Sequence, residues 1–325
     1  MRNSILVLAL VLIPVLAVAG PPDAVKVFIL AGQSNMEGKG AVNTLAHLGD
    51  DAEYGHLLAD IYKDGEWVVR DDVFIDYLGR SGPLTVGFGS KGGAHGGKIG
   101  PELAIGTVLG DAFDEKILLI KTAWGGKDVA KDFLPPSMGG PGEFYTKMME
   151  NVDRVLADIG SVVPGYKDEG YEICGFIWFQ GWNDQFTEDW YTNYGEYMAA
   201  FISDVREDLE APDMKFVIGQ VGFDGLRKSR PARNGGLSAR DHIKKGQLAM
   251  AKRGGLEGAV AVVRTDQYWD VEADAIYNGE GGWSKDVDKW HQFGNDRPYH
   301  YLGSAIWFSR MGTAFGKAMR TLIEE

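Results

Sequence analysis

Ser34 stands in the stretch FILAGQSNMEG, residues 28–38, where an apolar run breaks at Gly32 and a hydroxyl follows two residues later. A hydrolytic site needs three things: a nucleophilic hydroxyl, a base to take its proton, and donors aimed at the oxygen that becomes negative. Ser34 supplies the first. Two other apolar runs end in groups that could supply the donors: Trp124-Gly125-Gly126 and Gln180-Gly181-Trp182-Asn183-Asp184. A base is available in His300, within DRPYHYLGSA, just before the last apolar-periodic stretch. Each part has a plain structural reading, since a serine after a strand caps helices and paired glycines make turns. Their joint placement is what suggests chemistry.

Five short apolar runs must position these groups: VKVFILAG from 25, KILLIKTA from 116, ICGFIWFQG from 173, KFVIGQVG from 215 and AVAVVRTD from 259. Near-continuous apolarity in β-branched and aromatic residues fits strands covered on both faces, as in a parallel sheet. Between them, Met148, Val152, Val155 and Ile159 mark one amphipathic helix and Met198, Phe201, Ile202, Val205 and Leu209 another. Phe308, Met311, Phe315 and Leu322 mark a third. The alternation predicts a three-layer α/β/α domain around a five-stranded parallel sheet, with the candidate groups at the carboxyl ends of the strands. Residues 40–100 break this rhythm and are glycine-rich, so they are expected to form an insertion beside the sheet edge. A second irregular stretch is expected from Trp269 to Tyr299.

Residues 1–19 combine Arg2, an unbroken apolar run and Ala17-Val18-Ala19, the pattern of a secretory signal peptide. The expected organisation is therefore a signal over 1–19 and a single domain over 20–325, secreted or periplasmic, with no membrane association after signal removal. With 33 basic against 46 acidic residues, the net charge of −13 argues against nucleic acid and anionic membranes as partners. Cys174 is the only cysteine, so no internal disulfide forms, and its apolar neighbours mark it as a small buried hydrophobe.

Two phosphate-binding patterns carry little. Gly87, Gly89 and Gly92 satisfy G-x-G-x-x-G, but not between a strand and a helix, and 45 glycines make chance matches easy. Gly92, Gly97 and Lys98 approach a P-loop, yet Ile99 stands where a Ser or Thr would hold magnesium. His95 is read as a solvated loop histidine. There is no Cys/His cluster and no H-E-x-x-H, so neither metal nor cofactor is expected.

Gly32-Gln33-Ser34-Asn35, the glycines at 125 and 126, Gly181-x-Asn183-Asp184 and a histidine before the C-terminal helix together resemble the ordered blocks of the SGNH (GDSL) hydrolase superfamily. AGQSNMEG, WFQGWND and YHYLGSA are similar to its sialate O-acetylesterase-like branch, related to carbohydrate esterase family six. The resemblance implies a flavodoxin-like sheet and metal-free removal of acetyl groups from carbohydrate, with Ser34 as nucleophile and His300 as general base and then acid. It implies an oxyanion hole from the N–H of Ser34, an N–H of Gly125 or Gly126, and a side-chain amide. The superfamily spacing selects Asn183 for that amide, while the closer branch brings Gln180 into competition. Trp124, Trp182 and Gln33 are expected to contact the sugar, Asp184 to orient its loop, and Asn35 to stabilise the turn behind the nucleophile.

The departure is at the third triad member. The superfamily places an Asp three residues before the histidine, where this chain has Arg297, with Asp296 one position earlier. Asp296 is the first choice, Asp266 the second, and a dyad oriented by a backbone carbonyl the third. The displaced aspartate also admits a non-catalytic carbohydrate-binding protein on a degraded esterase scaffold. Lipid or thioester hydrolysis would call for an apolar acyl groove or lid, and no amphipathic apolar segment suggests one.

Overall fold

The structure, a computed structural model, describes residues 23–91, 97–222, 225, 231 and 235–325. The signal peptide assigned to 1–19, together with Gly92 and His95, lies outside the described residues. Seven strands form the main sheet: β1 (Val25–Gly32), β2 (Val73–Tyr77), β3 (Arg80–Pro83), β4 (Ile117–Ala123), β5 (Tyr171–Phe179), β6 (Lys215–Gln220) and β7 (Val260–Arg264), in the order β7-β6-β5-β1-β4-β2-β3. All neighbours are parallel except β3, which pairs antiparallel with β2.

The five strands expected from sequence are contiguous in this sheet, as a flavodoxin-like order requires. Their number is the point to correct. Two more strands, β2 and β3, come from the glycine-rich 40–100 segment and extend the sheet instead of lying beside it. The irregular 269–299 stretch likewise contains two short helices, Val271–Asn278 and Val287–Phe293.

Apolarity without a gap is explained by burial on both faces. Phe28 and Leu30 of β1 enter one core with Leu103, Met311 and Phe315, whereas Val27, Ile29 and Ala31 enter the other with Met148, Val152 and Phe201. The first core is roofed by the helices Glu102–Gly110 and Ala305–Glu324, the second by Glu143–Leu156 and Tyr194–Asp208. Each of the Val, Ile, Leu, Met and Phe side chains among them contributes about 1.5–3 kcal/mol on burial. The helix Glu102–Gly110 is covered almost all round, so it has no polar stripe to betray it in sequence. Gly312 and Gly316 let the C-terminal helix come close: a Cβ at Gly312 would sit 2.5 Å from the Pro101 carbonyl oxygen, and one at Gly316 2.8 Å from Val108 Cβ. No helix among the described residues is long and apolar enough to cross a membrane.

Candidate active site

β1 and β5 are neighbours whose chain connections leave in opposite directions across the sheet, which makes the crevice at their carboxyl ends the topological switch point. Gly32 closes β1 with φ +150°, and a Cβ there would sit 2.2 Å from the Phe179 carbonyl oxygen at the end of β5. Only glycine fits that approach. The chain then turns into a short helix, Ser34–Glu37, which leaves Ser34 with 7% exposure at the sheet edge.

Ser34 Oγ lies 3.0 Å from His300 Nε2. On the other side of the imidazole, Asp296 Oδ2 lies 3.0 Å from Nδ1. The ring N–H direction is not aligned on that oxygen, so the contact is an ion-pair approach short of a well-formed hydrogen bond. Such contacts tighten when substrate closes a site. Burial of Asp296 pushes its carboxyl upward, but His300, the Arg297 N–H and Lys98 outweigh this and hold it below its ordinary value. The Arg297 N–H donates to Asp296 Oδ1 at 2.7 Å.

The loop that brings Asp296 to His300 doubles back on itself. The Leu302 carbonyl accepts the N–H of both Asn295 (2.9 Å) and Asp296 (3.1 Å), and Tyr301, Leu302 and Gly303 all have positive φ. Gly303 completes this left-handed run at φ +65°, where a Cβ would come within 3.0 Å of the Asp296 backbone N, so glycine is favoured at the tight return. This compact fold places the acid four residues before the histidine on the same side of the chain. Buried Tyr301 anchors the loop: its hydroxyl accepts the Gly222 N–H at 2.9 Å and lies 2.7 Å from Thr265 Oγ1, which donates to the Gln220 carbonyl. The loop is thereby fixed to the ends of β6 and β7. Asn35 supplies a second tie, donating from Nδ2 to the Tyr299 carbonyl at 3.0 Å. Its expected role behind the nucleophile thus extends to the histidine loop.

Asp266 does not approach the histidine in this arrangement. It pairs with Arg264 at 2.8 Å, which corrects its standing as the second choice of acid.

The donor side divides the sequence candidates. The N–H groups of Ser34, Gly125 and Gly126 make no hydrogen bond to described protein groups, while the neighbouring Trp124 N–H donates to Gly32. Asn183 Nδ2 donates once, to the Gly126 carbonyl at 2.6 Å, which leaves its second N–H uncommitted and ties its turn to the glycine loop. Gln180 is different. Its Nε2 donates to the Lys127 carbonyl and to Asp184, and its Oε1 accepts from Tyr194. Both amide protons are therefore spent inside the protein, and Gln180 is withdrawn from the oxyanion role.

Gln33 is corrected on the same grounds. It is 2% exposed, and its Oε1 accepts the N–H of Gly181 (3.1 Å) and Trp182 (2.9 Å), so it clamps the β5 turn instead of facing a sugar. Trp124 packs edge-on against Phe144 at 5.3 Å and beside Phe133 at 6.1 Å, as part of the core wall. Trp182 faces the site's rim, 4.8 Å from the ring of Tyr299.

Two buried ionisable groups lie beneath these loops. Asp184, fully buried, accepts the N–H of Val129 (3.0 Å) and Ala130 (3.3 Å) as well as the Gln180 amide, and burial pushes its carboxyl up to about 7. Lys121 was hidden in an apolar strand, yet its ammonium donates to the Glu37 carbonyl, the Phe88 carbonyl and Glu102, each within 2.9 Å. It meets the carbonyl at the end of the short helix that begins at Ser34, where a cation is favoured. A lysine inside a strand pattern was the available signal for it. Among the described residues no group of three or more His, Cys, Asp and Glu side chains is arranged to hold a metal ion.

Comparison with known proteins now bears on this geometry. No curated protein matches the chain by sequence. A protein of Arabidopsis thaliana has a similar fold at 17% identity and a TM-score of 0.57, over 93% of this chain and 99% of that one. A carbohydrate acetylesterase from Xanthomonas citri is similar at 14% identity and a TM-score of 0.52, over 92% of this chain and 56% of that one, so this chain spans little more than half its length. The sequence model of a family described as carbohydrate esterase, sialic acid-specific acetylesterase, matches residues 24–266, a stretch that holds Ser34, Gly125, Gly126 and Asn183 but stops before Asp296 and His300. With three quarters of the chain matched, the protein belongs to the sialic acid-specific acetylesterase family of carbohydrate esterases.

Proposed function

We propose that this protein is an exported serine esterase that removes O-acetyl groups from carbohydrate. The observation that carries the reading is the Ser34–His300–Asp296 line, with 3.0 Å at each step, assembled from the two ends of the chain. Ser34 Oγ attacks the acetyl carbonyl carbon while His300 Nε2 takes its proton. The carbonyl oxygen becomes negative and is met by the N–H of Ser34, an N–H of Gly125 or Gly126, and the free N–H of Asn183. The tetrahedral species collapses, the C–O bond to the sugar breaks, and His300 returns the proton to the departing sugar hydroxyl. Acetyl-Ser34 remains. Water then repeats the sequence with His300 as base, releasing acetate and restoring Ser34. Asp296, ionised throughout, keeps Nδ1 protonated and stabilises the imidazolium that forms in each half-reaction.

Export rests on the signal-like residues 1–19, and the sugar class rests on the family. The test is acetate release from an activated aryl acetate, acetylated xylan oligomers and O-acetyl sialic acid, with Ser34→Ala in parallel. Release by the native protein that disappears in the variant supports the reading. No release by the native protein, with sugar binding that survives Ser34→Ala, would establish a binding protein instead.

A further inference from the structure

Phe186 is the most exposed large apolar side chain among the described residues, at 69%. A single exposed aromatic is ordinary by itself, so its neighbours decide what it means. Phe186 belongs to a turn that is tied down. It ends the turn Asn183–Phe186, in which Gln185 Nε2 donates to the Trp182 carbonyl at 2.8 Å and Oε1 accepts from Arg240 Nε at 2.9 Å. The same turn carries Asn183, the candidate oxyanion donor.

Phe186 also terminates an unbroken series of rings that begins at the histidine. The His300 and Tyr299 rings are 4.6 Å apart, Tyr299 and Trp182 4.8 Å, and Trp182 and Phe186 6.3 Å. The Arg240 guanidinium sits 4.9 Å from the Trp182 ring centre and so stiffens the middle of the series. A pyranose has C–H faces and hydroxyl edges, and an aromatic surface takes up the former while leaving the latter to water. An acetylated monosaccharide at Ser34 would reach the near end of the series and leave Phe186 unused.

We infer that Tyr299, Trp182 and Phe186 form a track for sugar units beyond the acetylated one, so that the substrate is an O-acetylated oligosaccharide or polysaccharide and not a free monosaccharide. This rests on the Ser34–His300 reading of the site. The test compares kcat/KM on matched pairs, O-acetyl xylose against O-acetyl xylo-oligosaccharide and O-acetyl sialic acid against its O-acetylated oligomer, with 4-nitrophenyl acetate as a size-independent control. The native protein should prefer the longer member of at least one pair. Phe186→Ala should lower kcat/KM on that oligomer about tenfold, through KM, while the monomer and the aryl ester stay within about twofold; Phe186→Tyr should restore it. Equal activity on monomer and oligomer in both pairs, or a Phe186→Ala loss of the same size on all substrates, would overturn the track. If the native protein releases no acetate at all, the esterase reading fails separately. Calorimetric titration of Ser34→Ala with the unacetylated oligomers then decides the track: binding that weakens about tenfold in the Phe186→Ala double variant supports it, and absence of binding overturns it.

Discussion

The two sides of the candidate active site are built by different means. Ser34, Gly125, Gly126 and Asn183 stand directly on the ends of β1, β4 and β5, buried strands that are hydrogen-bonded to one another in the middle of the sheet. Asp296 and His300 stand on a loop with three consecutive positive-φ residues, tied to the sheet by Tyr301 and to the nucleophile by Asn35. The family match covers the strand-built side and ends before the loop-built side. On the proposed assignment, core packing would hold the nucleophile and the oxyanion donors, and a few specific hydrogen bonds would hold the base.

The sharpest way to break that comparison is to remove one reacting group from each side. Ser34→Ala and His300→Ala should each lower kcat by on the order of 10⁴-fold or more, with the fold intact by circular dichroism. Asp296→Asn should follow at roughly 10⁴-fold, since the amide favours the wrong imidazole tautomer, whereas Asp266→Asn should leave turnover within about twofold. A large loss in Asp266→Asn with Asp296→Asn active would reverse the assignment of the acid.

Next in size is the oxyanion side. Asn183→Ala should cost about 10²- to 10³-fold in kcat with little change in KM. Gln180→Ala should act mainly on stability, by about 1–3 kcal/mol in denaturant melts, because it strands the buried partners Asp184 and Tyr194. Were Gln180→Ala to keep its stability and lose turnover, the two amides would exchange roles.

The loop side predicts a smaller and different effect. Asn35→Ala frees the Tyr299 carbonyl and should reduce kcat by about 10- to 100-fold through misplacement of His300, with KM nearly unchanged. An unaltered kcat would mean that Tyr301 alone holds the loop.

The smallest effect concerns the ground beneath the oxyanion loop. Burial raises Asp184 from 3.8 to about 7, so the folded protein keeps a proton there that the unfolded chain gives up. Its contribution is therefore most favourable below the unfolded value and is lost as pH rises from about 4 to about 7, after which it is level. Asp184→Asn removes this titration, and the melting temperature of the variant relative to native should shift in the variant's favour between pH 5 and pH 8. A difference that stays constant over that range would place the Asp184 carboxyl back in the ordinary range. Asp296 has the opposite sign: held below 3.8, its stabilisation is present at neutral pH and is lost only as pH falls through that depressed value.

The contrast between the two sides also explains what could be read from sequence. The central strands were legible because burial on both faces removes any alternation and leaves plain runs such as VKVFILAG and KILLIKTA. Ser34 stood out as a candidate because the same run breaks at Gly32, a break that the close approach to the Phe179 carbonyl explains. β2 escaped because its apolar run, Val73-Phe74-Ile75, is cut short by Asp76, β3 because Arg80–Pro83 holds no large apolar residue, and the helix Glu102–Gly110 because burial almost all round erased its polar face. The choice between Asn183 and Gln180 depends on which amide protons are already spent, a property of hydrogen bonds that spacing does not encode. Asp296 needed the return of the chain at Leu302, set by left-handed residues that carry no sequence mark other than Gly303.

The most direct measurement is peptide mass spectrometry on protein acid-quenched during turnover of an acetyl ester. The account predicts an acetyl adduct on the peptide bearing Ser34, absent in Ser34→Ala and absent when acetate replaces the ester. An adduct on another residue, or sustained acetate release by Ser34→Ala, would contradict it.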